Sequence, residues 1–204
     1  MFVGGAVTNL LVTDPAAPPV RATQDVDVTV EVASRLELSR VEEEFRRRGF
    51  REVPEGPICR WRHEGLIVDV MPTDASVLGG GNVWFGEAFR SAQDFELRSG
   101  RVIRLVSAPV FMATKLEAFK DRGRRDVHES HDLEDLVSLV DGRPSIVGEV
   151  RSSSPKIRTY LRTEIRGLLS TPGFEEALAG HRPQDSANQA RMPLVLRRLQ
   201  AIAA

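Results

Sequence analysis

Cysteine occurs once, at Cys59, so no internal disulfide can staple this fold. A lone thiol fits a reducing compartment, and the expected location is the cytoplasm; Cys59 itself reads as a small core or edge residue. No apolar run reaches the length of a membrane span. The opening Met1-Phe2-Val3-Gly4-Gly5-Ala6 lacks the basic flank and cleavage pattern of a signal peptide, so no membrane partner is expected. The formal net charge is −1, which leaves no global field to attract nucleic acid or anionic lipid. A local basic face could still come from Arg122, Arg124, Arg125 and Arg197-Arg198. The histidines, His63, His128, His131 and His181, do not show zinc-ligand spacing. They read as structural or surface residues, with His131 a weak candidate for positioning. P-loop, nucleophile-elbow and Rossmann glycine patterns are all missing, as are internal repeats and low-complexity tracts.

What is present is ordinary for a soluble globular chain: 41% apolar and 28% charged residues over 204 positions, enough for a sizeable core in one domain or two small ones. Around Ser107 the pattern changes from strand-like to helical. This predicts an α+β protein with a small mixed sheet flanked by helices over residues 1–107 and a helical region over 108–204.

The informative stretch is Asp25-Val26-Asp27-Val28-Thr29-Val30. Strand alternation sends the valines to one face, toward a core, and sets Asp25 and Asp27 side by side on the other. Neighbouring carboxylates repel unless a cation lies between them, and hard divalent ions take carboxylate oxygens while keeping positions open for phosphates. The competing possibility is an exposed polar strand face. Upstream, a short strand over Met1–Val3, a Gly4-Gly5 turn and a helix carrying Ala6, Val7, Leu10 and Leu11 could offer backbone N–H groups to phosphate, or form an ordinary turn. Downstream, Ser34 and Glu37 form a candidate capping box for a helix to Arg48, stopped at Gly49. The basic run Arg46-Arg47-Arg48 complements the negative end of that helix.

Strands are expected at Phe50–Val53, Ile58–His63 and Leu66–Met71, with Gly65 in a turn. In Leu66-Ile67-Val68-Asp69-Val70-Met71 one acidic residue interrupts an apolar run. A buried unpaired carboxylate is expensive, so Asp69 either completes a three-carboxylate metal cluster with Asp25 and Asp27 or is salt-bridged to an arginine. Trp84 and Phe85 read as core, with base stacking as the other option. A hairpin over Phe95–Leu97 and Val102–Val106 would close the sheet. Beyond it, helices are expected to about Asp121, from Ser130 or Asp132 to Val140, and at about 145–151, 155–169, 173–179 and 193–203. Lys115, on a mostly apolar helix, either snorkels to water or points at an anion.

Together, Gly4-Gly5-Ala6, a helix, Arg21-x-Thr23-x-Asp25-Val-Asp27-Val and the lone Asp69 in a later strand resemble the polymerase-β-like nucleotidyltransferase superfamily. Lys115-x-x-Ala118-x-x-x-Arg122, followed by Arg125-Asp126, resembles the AbiE-type nucleotidyltransferases, the toxin half of type IV toxin–antitoxin pairs. The resemblance spans Met1 to about Leu139. It implies that Asp25, Asp27 and Asp69 bind two Mg²⁺ ions, with Mn²⁺ as an alternative, and are catalytic, Asp69 serving as general base. Gly4 and Gly5 would hold the phosphates of a nucleoside triphosphate, with Arg21, Thr23 and Lys115 also on the nucleotide. Asp126 and Asp132 are the two candidates for the acidic position after the lysine. The acceptor could be an RNA 3′ end, a protein side chain or a small molecule, and a cognate antitoxin would be a further partner. Ala6 stands where the superfamily often has serine, and three residues precede Gly4; these departures motivate the alternative of a degenerate fold that binds nucleotide or protein without turnover. A metal-dependent phosphohydrolase is the third possibility.

Overall fold

The computed structural model describes residues 1–122 and 127–204. It is an α+β protein of two compact units, Met1–Val7 with Ala22–Ser107, and Thr8–Arg21 with Ala108–Ala204.

The first unit is built on a mixed sheet. Its strands are β1 (Phe2–Val3), β2 (Asp25–Val30), β3 (Arg51–Glu52), β4 (Arg60–His63), β5 (Leu66–Pro72), β6 (Gln93–Glu96) and β7 (Val102–Leu105), in the spatial order β3-β4-β5-β2-β1-β7-β6. β2 runs parallel to β5, and β1 to β7; the other neighbours are antiparallel. The helix α2 (Arg35–Arg47) is amphipathic. Its Leu38, Val41 and Phe45 line one small cavity with Trp61 and Val70, so it covers the face that carries Trp61. Ser34 accepts a hydrogen bond from the Glu37 amide at 3.2 Å, and the Glu37 carboxylate reaches back to the Ala33 amide at 2.7 Å. The reciprocal pairing expected of the capping box is therefore present, displaced by one residue on its return leg.

The acidic strand alternates as its sequence requires, with one difference in burial. Val26, Val28 and Val30 are half-buried rather than core, and the fully buried member of β2 is Thr29. Trp84 and Phe85 are core residues, at the start of the short helix α3 (Phe85–Arg90). A 3-10 turn over Ala75–Leu78, capped by Asp74, has no counterpart in the sequence-based expectation.

The hairpin β4–β5 sets the register of the most consequential pair in this unit. Its two-residue turn is Glu64-Gly65, with φ +47° and +85°. Positive φ at both positions is the geometry whose twist matches the flanking strands. Counting outward from that turn, His63 faces Leu66, Arg62 faces Ile67, Trp61 faces Val68 and Arg60 faces Asp69.

The second unit comprises α1 (Thr8–Leu11), α4 (Ala108–Asp121), α5 (His131–Gly142), α6 (Ile146–Ser152), α7 (Pro155–Leu169), α8 (Phe174–Gly180), α9 (Ser186–Gln189) and α10 (Met192–Ala203). α4 is buried on every side from Ala108 to Leu116, as a helix apolar around its circumference must be. The sequence division at 107/108 places residues 8–21 with the sheet, whereas in the structure they belong with the helices. The Thr13 and Asp14 amides both donate to the Gly142 carbonyl, at 2.8 and 2.9 Å. A side chain at Gly142 would begin 2.6 Å from Val12, so the missing Cβ allows that approach. Asp141, 0% exposed, is held by Arg182 and by Arg191 Nε at 2.8 Å, and the same Arg191 reaches Asp14 at 2.6 Å.

Two stability measurements follow. Asp141→Asn leaves the buried Arg182 guanidinium without its carboxylate, and urea unfolding should show a loss of about 3–5 kcal/mol. Glu64→Asn relieves a non-glycine residue at positive φ and should raise stability by about 0.5–1 kcal/mol; a destabilised variant would contradict the strained-turn assignment.

Candidate functional site

Sheet register brings three carboxylates onto one face of the first unit. Asp27 and Asp69 are direct neighbours in the parallel β2–β5 pair, which sets their backbones about 4.8 Å apart. Asp25 lies two residues before Asp27 on the same strand and points to the same side. Thr23 Oγ1 donates to Asp25 Oδ1 at 2.8 Å and fixes that carboxylate.

The glycine turn is joined to this group. Gly4 has φ +71°, and a Cβ built on it would lie 1.8 Å from Asp27 Oδ2. The backbone at Gly4 and the Asp27 carboxylate are therefore in direct apposition, at a distance that glycine alone permits. Gly5 follows at the start of a 3-10 turn over Gly5–Val7.

One residue that sequence reasoning missed changes the chemistry of the face. Arg60, opposite Asp69 in β4, donates from Nε to Asp69 Oδ1 at 2.8 Å and from Nη2 to Asp69 Oδ2 at 2.7 Å. Nη2 also lies 3.4 Å from Asp25 Oδ2. Asp69 is 7% exposed, so a bidentate guanidinium supplies the partner that a buried carboxylate needs. Hydrogen bonding to Asp69 raises the Arg60 pKa further above its ordinary high value. The signal was in the sequence: the two-residue turn at Glu64-Gly65 counts Arg60 onto Asp69. Burial, and then the nearby Asp69 charge, push the Cys59 thiol above its usual pKa, so that thiol is a poor nucleophile.

The donor set is all carboxylate oxygen, which suits Mg²⁺ or Mn²⁺ in kind. In the present arrangement both Asp69 oxygens face Arg60, and among the described residues no group of three or more His, Cys, Asp or Glu is gathered for a metal ion. Of the two fates set out for it from sequence, Asp69 shows the salt bridge to an arginine; it shares a face with Asp25 and Asp27, but the three are not gathered into a metal cluster.

The remaining predicted residues belong to the second unit. Lys115, 8% exposed, points neither to water nor to an open anion position. Its Nζ sits 2.6 Å from Asp135 Oδ2 and 3.4 Å from Asp132 Oδ1. Arg122 also pairs with Asp132, while Arg21 pairs with Asp135 at 3.3 Å and lies 3.7 Å from Glu134. Of the two candidate acidic positions, Asp132 is thus the partner of Lys115, and Asp126 lies outside the described residues. Asp135 was not singled out from sequence, though its helical spacing from Asp132 puts both on one side of α5. Arg198, one of the arginines expected on a basic face, donates instead to the Val140 and Asp141 carbonyls.

No protein-family model matches this chain, and no curated protein matches it. Among the described residues, no helix is long and apolar enough to cross a membrane.

The apposition of Gly4 and Asp27 is directly testable. Gly4→Ala should destabilise the protein by more than about 2 kcal/mol, combining positive-φ strain with a clash. Gly80→Ala, where an added Cβ meets nothing within 4 Å, should be close to neutral. Equal thermal shifts for the two variants would contradict the assigned contact.

Proposed function

We propose that this chain is a nucleotidyltransferase of the polymerase-β-like kind, which moves a nucleoside monophosphate from a triphosphate to an acceptor hydroxyl. The observation that carries the proposal is the in-register placement of Asp69 beside Asp27, with Asp25 on the same face and the Gly4 turn against Asp27. Carboxylates from two strands set on one face beside a glycine turn suit a divalent cation, with the Arg60 guanidinium holding Asp69 in the meantime.

In the proposed reaction an acceptor oxygen forms a bond to the α-phosphorus, the bond from that phosphorus to the bridging oxygen breaks, and pyrophosphate leaves. Asp25, Asp27 and Asp69 would hold Mg²⁺ or Mn²⁺, which supplies charge neutralisation and a lowered pKa for the attacking hydroxyl. Thr23 keeps Asp25 oriented. The missing Cβ at Gly4 lets the backbone of that turn lie against the Asp27 carboxylate. Asp69 can accept the acceptor's proton after Arg60 releases at least one of its oxygens, because a carboxylate engaged at both oxygens by a guanidinium is a poor base. The acceptor class, an RNA 3′ end, a protein side chain or a small molecule, is left open by these residues, and the toxin role with a cognate antitoxin rests on the AbiE-type resemblance of the Lys115 segment alone.

A binding module without turnover is favoured by one specific observation. Arg60 satisfies Asp69, and Asp132 and Asp135 satisfy Lys115, so the expected triphosphate lysine already has carboxylate partners.

Incubating the full chain with ATP, CTP, GTP and UTP plus Mg²⁺ separates these possibilities. The transferase predicts pyrophosphate release with at least one nucleotide, reduced by about a hundredfold or more in Asp27→Ala. Nucleotide binding without pyrophosphate would favour the binding module, and inorganic phosphate in place of pyrophosphate would indicate a phosphohydrolase.

A further inference from the structure

We propose that Arg60 is a resident counter-cation of the carboxylate face, competing with a divalent metal ion for Asp69 and Asp25 and so setting the metal affinity of the site. This deepens the proposed function and rests on its assignment of Asp25, Asp27 and Asp69 as metal ligands.

Hydrogen-bond geometry supplies the first reason. Arg60 engages both oxygens of Asp69, at 2.8 and 2.7 Å, and its Nη2 reaches Asp25 at 3.4 Å. A metal ion that takes the lone pair either Asp69 oxygen gives to Arg60 must displace that hydrogen bond, and one that takes the oxygen's second lone pair still sits beside a fixed positive charge. The two ligands that Arg60 touches come from different strands, so one side chain spans the site as a bridging ion would.

Burial supplies the second. The Asp69 side chain is 10% exposed and lies in a strand between two neighbours, whereas the Arg60 side chain is 27% exposed. The carboxylate cannot leave, but the guanidinium can swing toward water on its flexible stem. A neighbouring glycine shapes that stem's position: a Cβ at Gly56 would fall 3.0 Å from Arg60 Cδ, so the chain is small where the arginine passes it.

The third reason is the permanence of the charge. A guanidinium cannot be deprotonated in a protein, so proton loss is no route to opening the site. Displacement by another cation is. Arg60 therefore keeps a buried carboxylate paired and ordered through two hydrogen bonds from one planar fork, a geometry that lysine cannot supply. The released guanidinium is then left with unmatched positive charge beside the metal-bound carboxylates, a natural contact for phosphate oxygens.

The test measures Mn²⁺ binding to the full chain by electron paramagnetic resonance of the free ion, in wild type, Arg60→Gln, Arg60→Lys and Asp69→Asn. Arg60→Gln should bind about tenfold tighter than wild type, within the usual span of coupling between two ligands. Arg60→Lys, which cannot grip both oxygens, should fall between them, and Asp69→Asn should bind more weakly than wild type. Equal or weaker binding in Arg60→Gln overturns the proposal. Should that variant fail to fold, wild type decides: the Arg60 Nε–H resonance, assigned by its loss in Arg60→Lys, should move in step with Mg²⁺ occupancy. A resonance unmoved at saturating Mg²⁺ overturns competition. Pyrophosphate release by wild type with unchanged affinity in Arg60→Gln would sink this inference and leave the transferase standing. Tighter Mn²⁺ binding in Arg60→Gln with no pyrophosphate from any nucleotide would do the reverse, and no Mn²⁺ or Mg²⁺ binding by any form would overturn both.

Discussion

A carboxylate that is 7% exposed must be matched by positive charge or pushed to its neutral form, and Asp69 meets that demand through Arg60. The ion pair is possible because a tight turn at Glu64-Gly65 holds β4 and β5 in one register. A slip of one residue would turn Arg60 to the opposite face of the sheet. The parallel pairing of β5 with β2 then carries Asp69 to the flank of Asp27. Register across three strands, fixed by one turn and one buried ion pair, is the constraint on which the chemistry of this face depends.

The second unit solves a similar problem without an open face. Lys115, Arg21 and Arg122 meet Asp132, Asp135 and Glu134 around α5, while Asp141 anchors Arg182 and Arg191. Buried charge here is paired locally, within helices and the segment Thr8–Arg21. Such networks are weak contributors to stability as a sum but costly to break singly.

Much of this was legible along the chain, for physical reasons. Period-2 alternation identified β2 and the common face of Asp25 and Asp27, and capping chemistry marked helix starts at Ser34 and at Ser130 or Asp132, of which Ser34 and Ser130 are the caps. The solitary Asp69 in an apolar strand announced a buried charge in need of a partner. What stayed hidden depended on pairing between segments. Arg60 was one of many arginines until the hairpin register singled it out. The docking of residues 8–21 depends on Gly142 lying close to Val12, an approach between distant parts of the chain that leaves no local trace. Lys115 read as either snorkelling to water or pointing at an anion; it does neither toward an outside ligand, because Asp132 and Asp135 of its own unit supply the negative charge.

The central proposal is that Asp25, Asp27 and Asp69 form one cation site. Crystals of the full chain grown with Mn²⁺ and a non-hydrolysable nucleoside triphosphate test it most directly, by anomalous diffraction at the manganese edge. The expected result is an anomalous peak within coordination distance of Asp25, Asp27 and Asp69, about 2.0–2.2 Å from their oxygens, with the Arg60 guanidinium drawn away from Asp69. A fully occupied manganese elsewhere on the protein, with the Arg60–Asp69 pair intact, would contradict it.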